Sequence, residues 1–123
     1  MLYRHWRAIP AAIWHWPNFA PAEIACRGTG ELLVVPDALD ALQRLRDAVG
    51  PIQLNSAYRS ALHNARVGGA PLSRHKFGQA FDISLRNHSK RDLLDAARTA
   101  GFTGFGLNYR AFLHVDIGPE RTW

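Results

Sequence analysis

Cysteine is almost absent from this sequence of 123 residues, in which Cys26 stands alone. A single cysteine excludes an internal disulfide and a zinc site built only from thiolates. Nothing in the cysteine content therefore indicates an oxidising compartment. Any metal bound by this chain must take its ligands from His, Asp or Glu side chains.

Long apolar runs are also missing. No stretch reaches the roughly 18 to 20 apolar residues that a membrane-spanning helix needs. The first 16 residues, MLYRHWRAIPAAIWHW, lack the apolar core and the small-residue cleavage site of a signal peptide. We therefore expect no membrane span, synthesis in the cytoplasm without a signal peptide, and any exit from the cell by another route.

Acidic residues are outnumbered, with ten against fifteen basic residues, and the formal net charge is +5. All but two of the basic residues are arginines, and they are spread along the chain without forming a cluster. Such a diffuse positive electrostatic field favours anionic partners, such as nucleic acid or a polyanionic cell wall, without specifying one. Because the sequence has no glycine-rich or aromatic RNA-binding motif, we expect no nucleic-acid partner.

The length and the hydrophobic content of 47% suit a single domain over residues 1–123. The sequence has no internal repeat, low-complexity segment or linker. Residues 1–35 are rich in tryptophan and interrupted by Pro10, Pro17 and Pro21. We expect this segment to form an irregular N-terminal cover.

The remaining sequence predicts alternating helices and strands. The run PDALDALQRLRDAVG has apolar residues at helical spacing, a proline suited to the first turn and Gly50 at its end. Ser89 and Asp92 form a capping-box pattern at the start of another helix. The predicted helices are 36–49, 61–66 and 90–100, and the predicted strands are 52–56, 79–85, 102–107 and 112–117. This order indicates an α+β fold, with a small antiparallel sheet and helices packed mainly on one face.

Polar residues interrupt two of these apolar strands. Asp82 lies between Phe81 and Ile83, and a buried carboxylate is costly unless something pairs with it. Strand alternation places His114 and Asp116 on one face of the last strand. If the two strands are close, Asp82 and His114 can meet His75 and form a zinc site with an open position for water. On spacing alone, such residues are more often hydrogen-bonded structural residues than metal ligands.

Three segments resemble a known family. SRHKFGQAFD resembles the Ser-x-His-x-x-Gly-x-Ala-x-Asp motif of the zinc D-alanyl-D-alanine carboxypeptidase superfamily, the M15-type peptidoglycan peptidases. FLHVD resembles its second motif, and NSAYRSALHN resembles its Ser-x-Tyr-Arg-Ser segment. The N-terminal FAPAEIACRGTGELLV is similar to the segment that precedes these motifs in a compact branch of the family, which is common in phages and prophages.

The resemblance implies a zinc-dependent peptidase that cuts an amide bond in peptidoglycan, and it leaves open an association with a virion or with other wall-lysis components. It also implies that Zn²⁺ is held by His75, Asp82 and His114, on the sheet. Arg59 would bind a carboxylate of the stem peptide, since its planar fork suits a carboxylate. Tyr58 and Ser73 are further candidates for substrate contacts.

The sequence departs from the family at the general base. Many members carry Glu or Asp three residues before the last histidine ligand, and this chain has Ala111 there. Asp116 is the candidate base, or alternatively a residue that orients His114, with His63 and Tyr58 as weaker candidates for the base. The departure leaves open a second function, a zinc-stabilised module that binds the cell wall or takes part in particle assembly with little or no catalysis.

Overall fold

A computed structural model describes residues 1–123. The helices are α1 (Pro21–Ile24), α2 (Pro36–Val49), α3 (Ala61–Arg66) and α4 (Lys90–Ala100), with single 3₁₀ turns at Trp6–Ala8, Ala11–Ile13 and Arg74–Phe77. The strands are β1 (Leu2–Tyr3), β2 (Leu32–Leu33), β3 (Leu54–Ser56), β4 (Ala80–Ser84), β5 (Gly104–Gly106), β6 (Phe112–Asp116) and β7 (Arg121–Thr122). The α+β class predicted from the sequence is confirmed.

The two long helices begin and end where their sequences predict. Helix α2 has Pro36 in its first turn, and it ends at Gly50, whose φ of 83° is disfavoured for residues with a side chain. Helix α4 begins after Ser89, whose hydroxyl accepts a hydrogen bond of 3.0 Å from the Asp92 amide. No helix in the structure combines the length and the apolar character needed to cross a membrane.

The main sheet has five strands in the order β3-β4-β6-β5-β7. The first four strands pair in antiparallel fashion, as predicted. The fifth strand, β7, was not predicted, and it pairs in parallel with β5 at the edge of the sheet. Two residues are too few to show the alternation by which a strand is recognised in a sequence.

The two faces of the sheet have different chemistry. Alternate residues of the central strands β4 and β6 belong to the apolar core, which they share with α2 and α4: Phe81, Ile83, Leu113 and Val115. The residues between them point to the opposite face: Ala80, Asp82, His114 and Asp116. The long helices thus cover one face, and the polar residues on the other face border a cleft.

The N-terminal 35 residues are more than a cover. Strands β1 and β2 form a small antiparallel sheet of their own. Trp16, Phe19 and Leu32 are buried in the core cluster. The indole Nε1 of Trp16 donates a hydrogen bond of 2.8 Å to the Asp40 carboxylate on α2. The short elements and the buried aromatic side chains show that this segment is part of the apolar core, with irregular chain between its elements.

Candidate metal centre

The pairing of β4 with β6 brings two predicted metal ligands together. Asp82 and His114 are directly opposite each other in this antiparallel pair, and Ala80 is opposite Asp116. Both Asp82 and His114 point away from the core because they alternate with buried apolar residues. Each side chain is nevertheless buried, at 4% and 7% relative exposure for the two residues.

The third predicted ligand comes from the turn before β4. The Ser73 hydroxyl accepts a hydrogen bond from the His75 amide, and Gly78 ends the turn with a φ of 67°. This left-handed conformation favours glycine, as expected for a turn between two ligands. The turn buries the His75 ring, at 3% exposure, beside Asp82.

The three side chains converge on one oxygen atom. His75 Nε2 lies 3.1 Å and His114 Nδ1 lies 2.9 Å from Asp82 Oδ1. One potential ligand atom from each residue lies within 4.8 Å of the others, so a single ion could contact all three. Two imidazole nitrogens and a carboxylate oxygen are a common donor set for zinc.

In each imidazole, the inner nitrogen faces Asp82, and the outer nitrogen, which points away from Asp82, bonds to another acceptor. His75 Nδ1 donates to the Ala57 carbonyl at 2.6 Å, and His114 Nε2 donates to Asp116 Oδ2 at 2.8 Å. Neither acceptor can donate a proton in return, so each outer nitrogen carries the hydrogen. Each inner nitrogen then faces Asp82 either with a second proton or with a free lone pair. One divalent cation supplies the same charge as those two protons, and the residues therefore fit a metal such as zinc.

The electrostatics keep Asp82 ionised. Burial alone raises the pKa of this carboxyl, but hydrogen bonds from His114 and His75 outweigh burial and bring the pKa down to about 2. Burial lowers the pKa of His114, but its hydrogen bonds to Asp116 and Asp82 have the larger combined effect, and the pKa is raised. At neutral pH the Asp82 carboxylate is therefore available as an anionic ligand.

Asp116 is fully buried, and both of its oxygens are occupied. Oδ2 accepts hydrogen bonds from His114 and from Arg121 Nη2 at 2.8 Å, and Oδ1 accepts from Arg121 Nη1 at 2.8 Å and from the Gly118 amide at 3.0 Å. Burial raises the pKa of Asp116, but the bonds from His114 and Arg121 hold it far below its usual range. Of the two roles left open by the sequence, this geometry favours orienting His114 over accepting a proton from a substrate or water.

Arg121 is a site residue that sequence reasoning missed. Asp116 is opposite Gly104 on β5, and Gly104 is in turn opposite Arg121 on β7. The Arg121 side chain crosses above Gly104 to reach Asp116, and a Cβ at Gly104 would collide with both groups. The alternating glycines of Gly104-Phe105-Gly106 are the one sequence signal of this crossing, because they leave one face of a buried strand without side chains.

The metal ligands lie in a cleft of about 490 Å³, which Arg59 and Ser73 also line. Arg59 is held by two uncharged groups, with Nε donating to Ser56 at 3.1 Å and Nη1 to Asn64 at 3.3 Å. Its Nη2 is 3.4 Å from Asp82 Oδ2. The structure therefore brings this predicted substrate residue beside the predicted ligands.

Two other candidates lie elsewhere. Tyr58 is 8% exposed in the core, and burial, followed by the charges of Glu31 and Cys26, raises the pKa of its hydroxyl. The His63 ring packs against Gly28. Neither residue lines the cleft, so neither is placed to contact a substrate or to serve as a base there. Asp82 is the one carboxylate residue in the cleft lining.

Comparisons with known proteins show the family to which the chain belongs. The sequence profile of the Peptidase M15 family matches residues 17–116. The chain is 40% identical over 88 residues to the zinc D-Ala-D-Ala carboxypeptidase of Streptomyces albus G, an alignment of 67% of this chain and 34% of that protein. It is 35% identical over 97 residues to the peptidoglycan L,D-endopeptidase MepK of Escherichia coli K12, covering 72% of this chain and 53% of that protein. The matched region thus spans about a third to a half of these relatives.

The contact between Asp116 and His114 generates a prediction for metal affinity. Asp116→Asn keeps the shape of the side chain but turns one acceptor into a donor that faces His114 or Arg121. Because partners of this kind orient a ligand, we expect zinc affinity to fall by about 10- to 100-fold. Competition with a chromophoric chelator measures the affinity, and circular dichroism checks that the variant is folded. Asp95→Asn, at an exposed position on α4, is the matched control. Equal affinity in a folded Asp116→Asn protein would contradict this role.

Proposed function

Because the chain belongs to the Peptidase M15 family, we propose that it is a zinc-dependent peptidase that hydrolyses an amide bond in peptidoglycan stem peptides or cross-links. Two relatives of the chain are named as a zinc carboxypeptidase and a peptidoglycan endopeptidase, and these names support this class of substrate. The observation that carries the proposal is the convergence of His75, Asp82 and His114 on one point of a cleft that Arg59 also lines.

His75 Nε2, an Asp82 oxygen and His114 Nδ1 would hold the zinc ion. When bound in such a site, zinc polarises a carbonyl group and lowers the pKa of a bound water toward about 7, which is the chemistry that amide hydrolysis needs. The protein contributes the fixed directions of its imidazoles, since the Ala57 carbonyl and Asp116 hold the outer nitrogens. Burial of all three ligands keeps competing water from their donor atoms.

Arg59 would bind a carboxylate of the substrate. Ser56 and Asn64 orient its guanidinium without neutralising it, and its 3.4 Å contact with Asp82 is long for a salt bridge. The guanidinium thus keeps the capacity to bind an anion beside the metal. Ser73 lines the same cleft and is a candidate for a polar contact with the peptide backbone.

One observation favours the alternative of a binding module. No carboxylate other than Asp82 lines the cleft, and Asp82 is needed as a ligand. Ala111 cannot accept a proton, and both oxygens of Asp116 are occupied. General-base assistance is typically worth about 10² to 10⁴ in rate, so an enzyme without it should be slow. A zinc-stabilised module that binds wall peptides with little catalysis is therefore the second candidate.

Either function places the protein at the cell wall. It would reach its substrate after lysis, by export or as part of a virion. Components of a virion or of a lysis system would be its partners in the latter cases. The resemblance of FAPAEIACRGTGELLV to the phage-associated branch supports this part of the proposal.

Metal dependence is the first test of the peptidase. Purified peptidoglycan is digested with the zinc-loaded protein, and the products are identified by mass spectrometry. We expect chelation to stop the cleavage and added zinc to restore it. His75→Ala and His114→Ala should lose both zinc and activity, while His15→Ala, on an exposed histidine outside the cleft, should keep both. Stoichiometric zinc in both ligand variants would refute the ligand assignment. A zinc-loaded protein that binds peptidoglycan and cuts no bond would replace the peptidase with the binding module.

Arg59 gives a second test, because its proposed role concerns the substrate and not the metal. Arg59→Ala should retain zinc and lose about 10- to 100-fold in kcat/KM, the expected size of a lost charge-assisted hydrogen bond. Arg59→Lys should restore little of the lost kcat/KM, since an ammonium group does not reproduce the two parallel hydrogen bonds of a guanidinium. Arg66→Ala, on the exposed side of α3, is the control. Loss of zinc from Arg59→Ala would show that the residue supports the metal site.

A further inference from the structure

Arg74 is the one arginine of the cleft without a carboxylate partner. Three arginines line the cleft: Arg59, Arg74 and Arg121. Arg121 makes a bidentate pair with Asp116, and Arg59 contacts Asp82. The Arg74 side chain instead donates from Nη1 to the Gln79 side-chain oxygen at 3.2 Å and has its guanidinium 5.8 Å from the centre of the Phe77 ring. The Arg74 guanidinium therefore makes no salt bridge within the protein.

Arg74 and Arg59 reach the cleft from different parts of the fold. Arg59 follows β3 and contacts Ser56 on that strand and Asp82 on β4. Arg74 opens the turn before β4 and lies against Gly118, just beyond the end of β6, where a Cβ would meet its Nε. The two guanidiniums are thus held by different partners, and each offers its own donors to a ligand in the cleft.

The surroundings of Arg74 favour a bound anion. The side chain is half-buried, so its charge is less screened than that of a fully exposed arginine. A metal ion at the ligand cluster would add further positive charge to the same cleft. Gln79 holds one nitrogen and so limits the orientations of the planar group, which leaves its other donors for a carboxylate. Since Asp82 is the only lining carboxylate, a carboxylate of the ligand can pair with Arg74 without competing with an acidic residue of its own.

We propose that Arg74 forms a second carboxylate subsite, so that the preferred ligand is a peptide with two free carboxylates, one bound by Arg59 and one by Arg74. This inference rests on the proposed function, and it specifies the substrate as a diacidic peptide. A peptide in which the second carboxylate is amidated would bind less well, because an amide presents its own N–H donors to the arginine and carries no charge. Arg74 is thus a specificity-determining residue of the cleft.

A set of amidated peptides tests the subsite. Stem peptides are prepared with every carboxylate free and with each carboxylate amidated singly, and kcat/KM is measured for each peptide. We expect amidation of one particular carboxylate to lower kcat/KM of the wild-type protein by about 10-fold or more, mainly by raising KM. In Arg74→Gln the same amidation should leave kcat/KM nearly unchanged. For the peptide with every carboxylate free, kcat/KM of Arg74→Gln should be about 10-fold below that of the wild-type protein. Arg91→Gln, an equal loss of charge on exposed α4, should behave as wild type.

The outcome is separable from that of the proposed function. If the zinc-loaded protein cuts none of these peptides, calorimetric Kd values for the same set test Arg74 without any need for catalysis, and the same pattern is expected. An Arg74→Gln protein that retains zinc and shows the wild-type response to every amidation would overturn the subsite. Loss of zinc from Arg74→Gln would also overturn it, since Arg74 would then support the metal ligands.

Discussion

The site depends on the burial of the Asp82 carboxylate between two apolar residues of a central strand. An isolated carboxylate in that position would be strongly disfavoured, and the surrounding residues supply its compensation. His75 and His114 direct one nitrogen each at Asp82 Oδ1, and Arg59 contacts the other oxygen. The register of β4 with β6 supplies His114 and the turn before β4 supplies His75, so a change in either one would remove a partner of this charge.

Support for the centre extends outward through a chain of charged hydrogen bonds. His114 is held by Asp116, and Asp116 is held by the bidentate fork of Arg121 on the edge strand. Arg121 remains partly exposed, so the chain joins the protein surface to the buried ligands. Ala80 and Gly104 flank Asp116 on the neighbouring strands, and these small residues leave room for the pair. Partners of this kind fix the ring that binds a metal and raise its basicity.

Local signals in the sequence were enough to predict the main helices and the polar residues of the site. Apolar spacing with Pro36 and Gly50 predicted α2, and the pair of Ser89 and Asp92 predicted the start of α4. Asp82 and His114 stood out because each interrupts an apolar strand. The structure brings these two side chains and His75 together, although their role as zinc ligands remains a prediction.

What the sequence did not predict depends on long-range pairing. Strand β7 is two residues long, and its place beside β5 follows from the sheet and not from its own residues. Arg121 therefore gave no sign of a role in the site from the sequence, because only the sheet brings it across Gly104 to Asp116. The interpretation of Asp116 as a base also failed to anticipate Arg121, which occupies both carboxylate oxygens. Trp16 and Phe19 lie in a segment without periodicity, so their burial in the core was not evident.

We expect two imidazoles and one carboxylate of this chain to hold a zinc ion. X-ray absorption spectroscopy at the zinc edge of the stoichiometrically loaded protein reports these ligands. The spectrum should show two imidazole nitrogens and at least one oxygen at about 2.0 to 2.2 Å, with no sulfur at about 2.3 Å. A sulfur contribution from Cys26, which is buried in the core, or a spectrum with fewer than two imidazoles would rule out this ligand set.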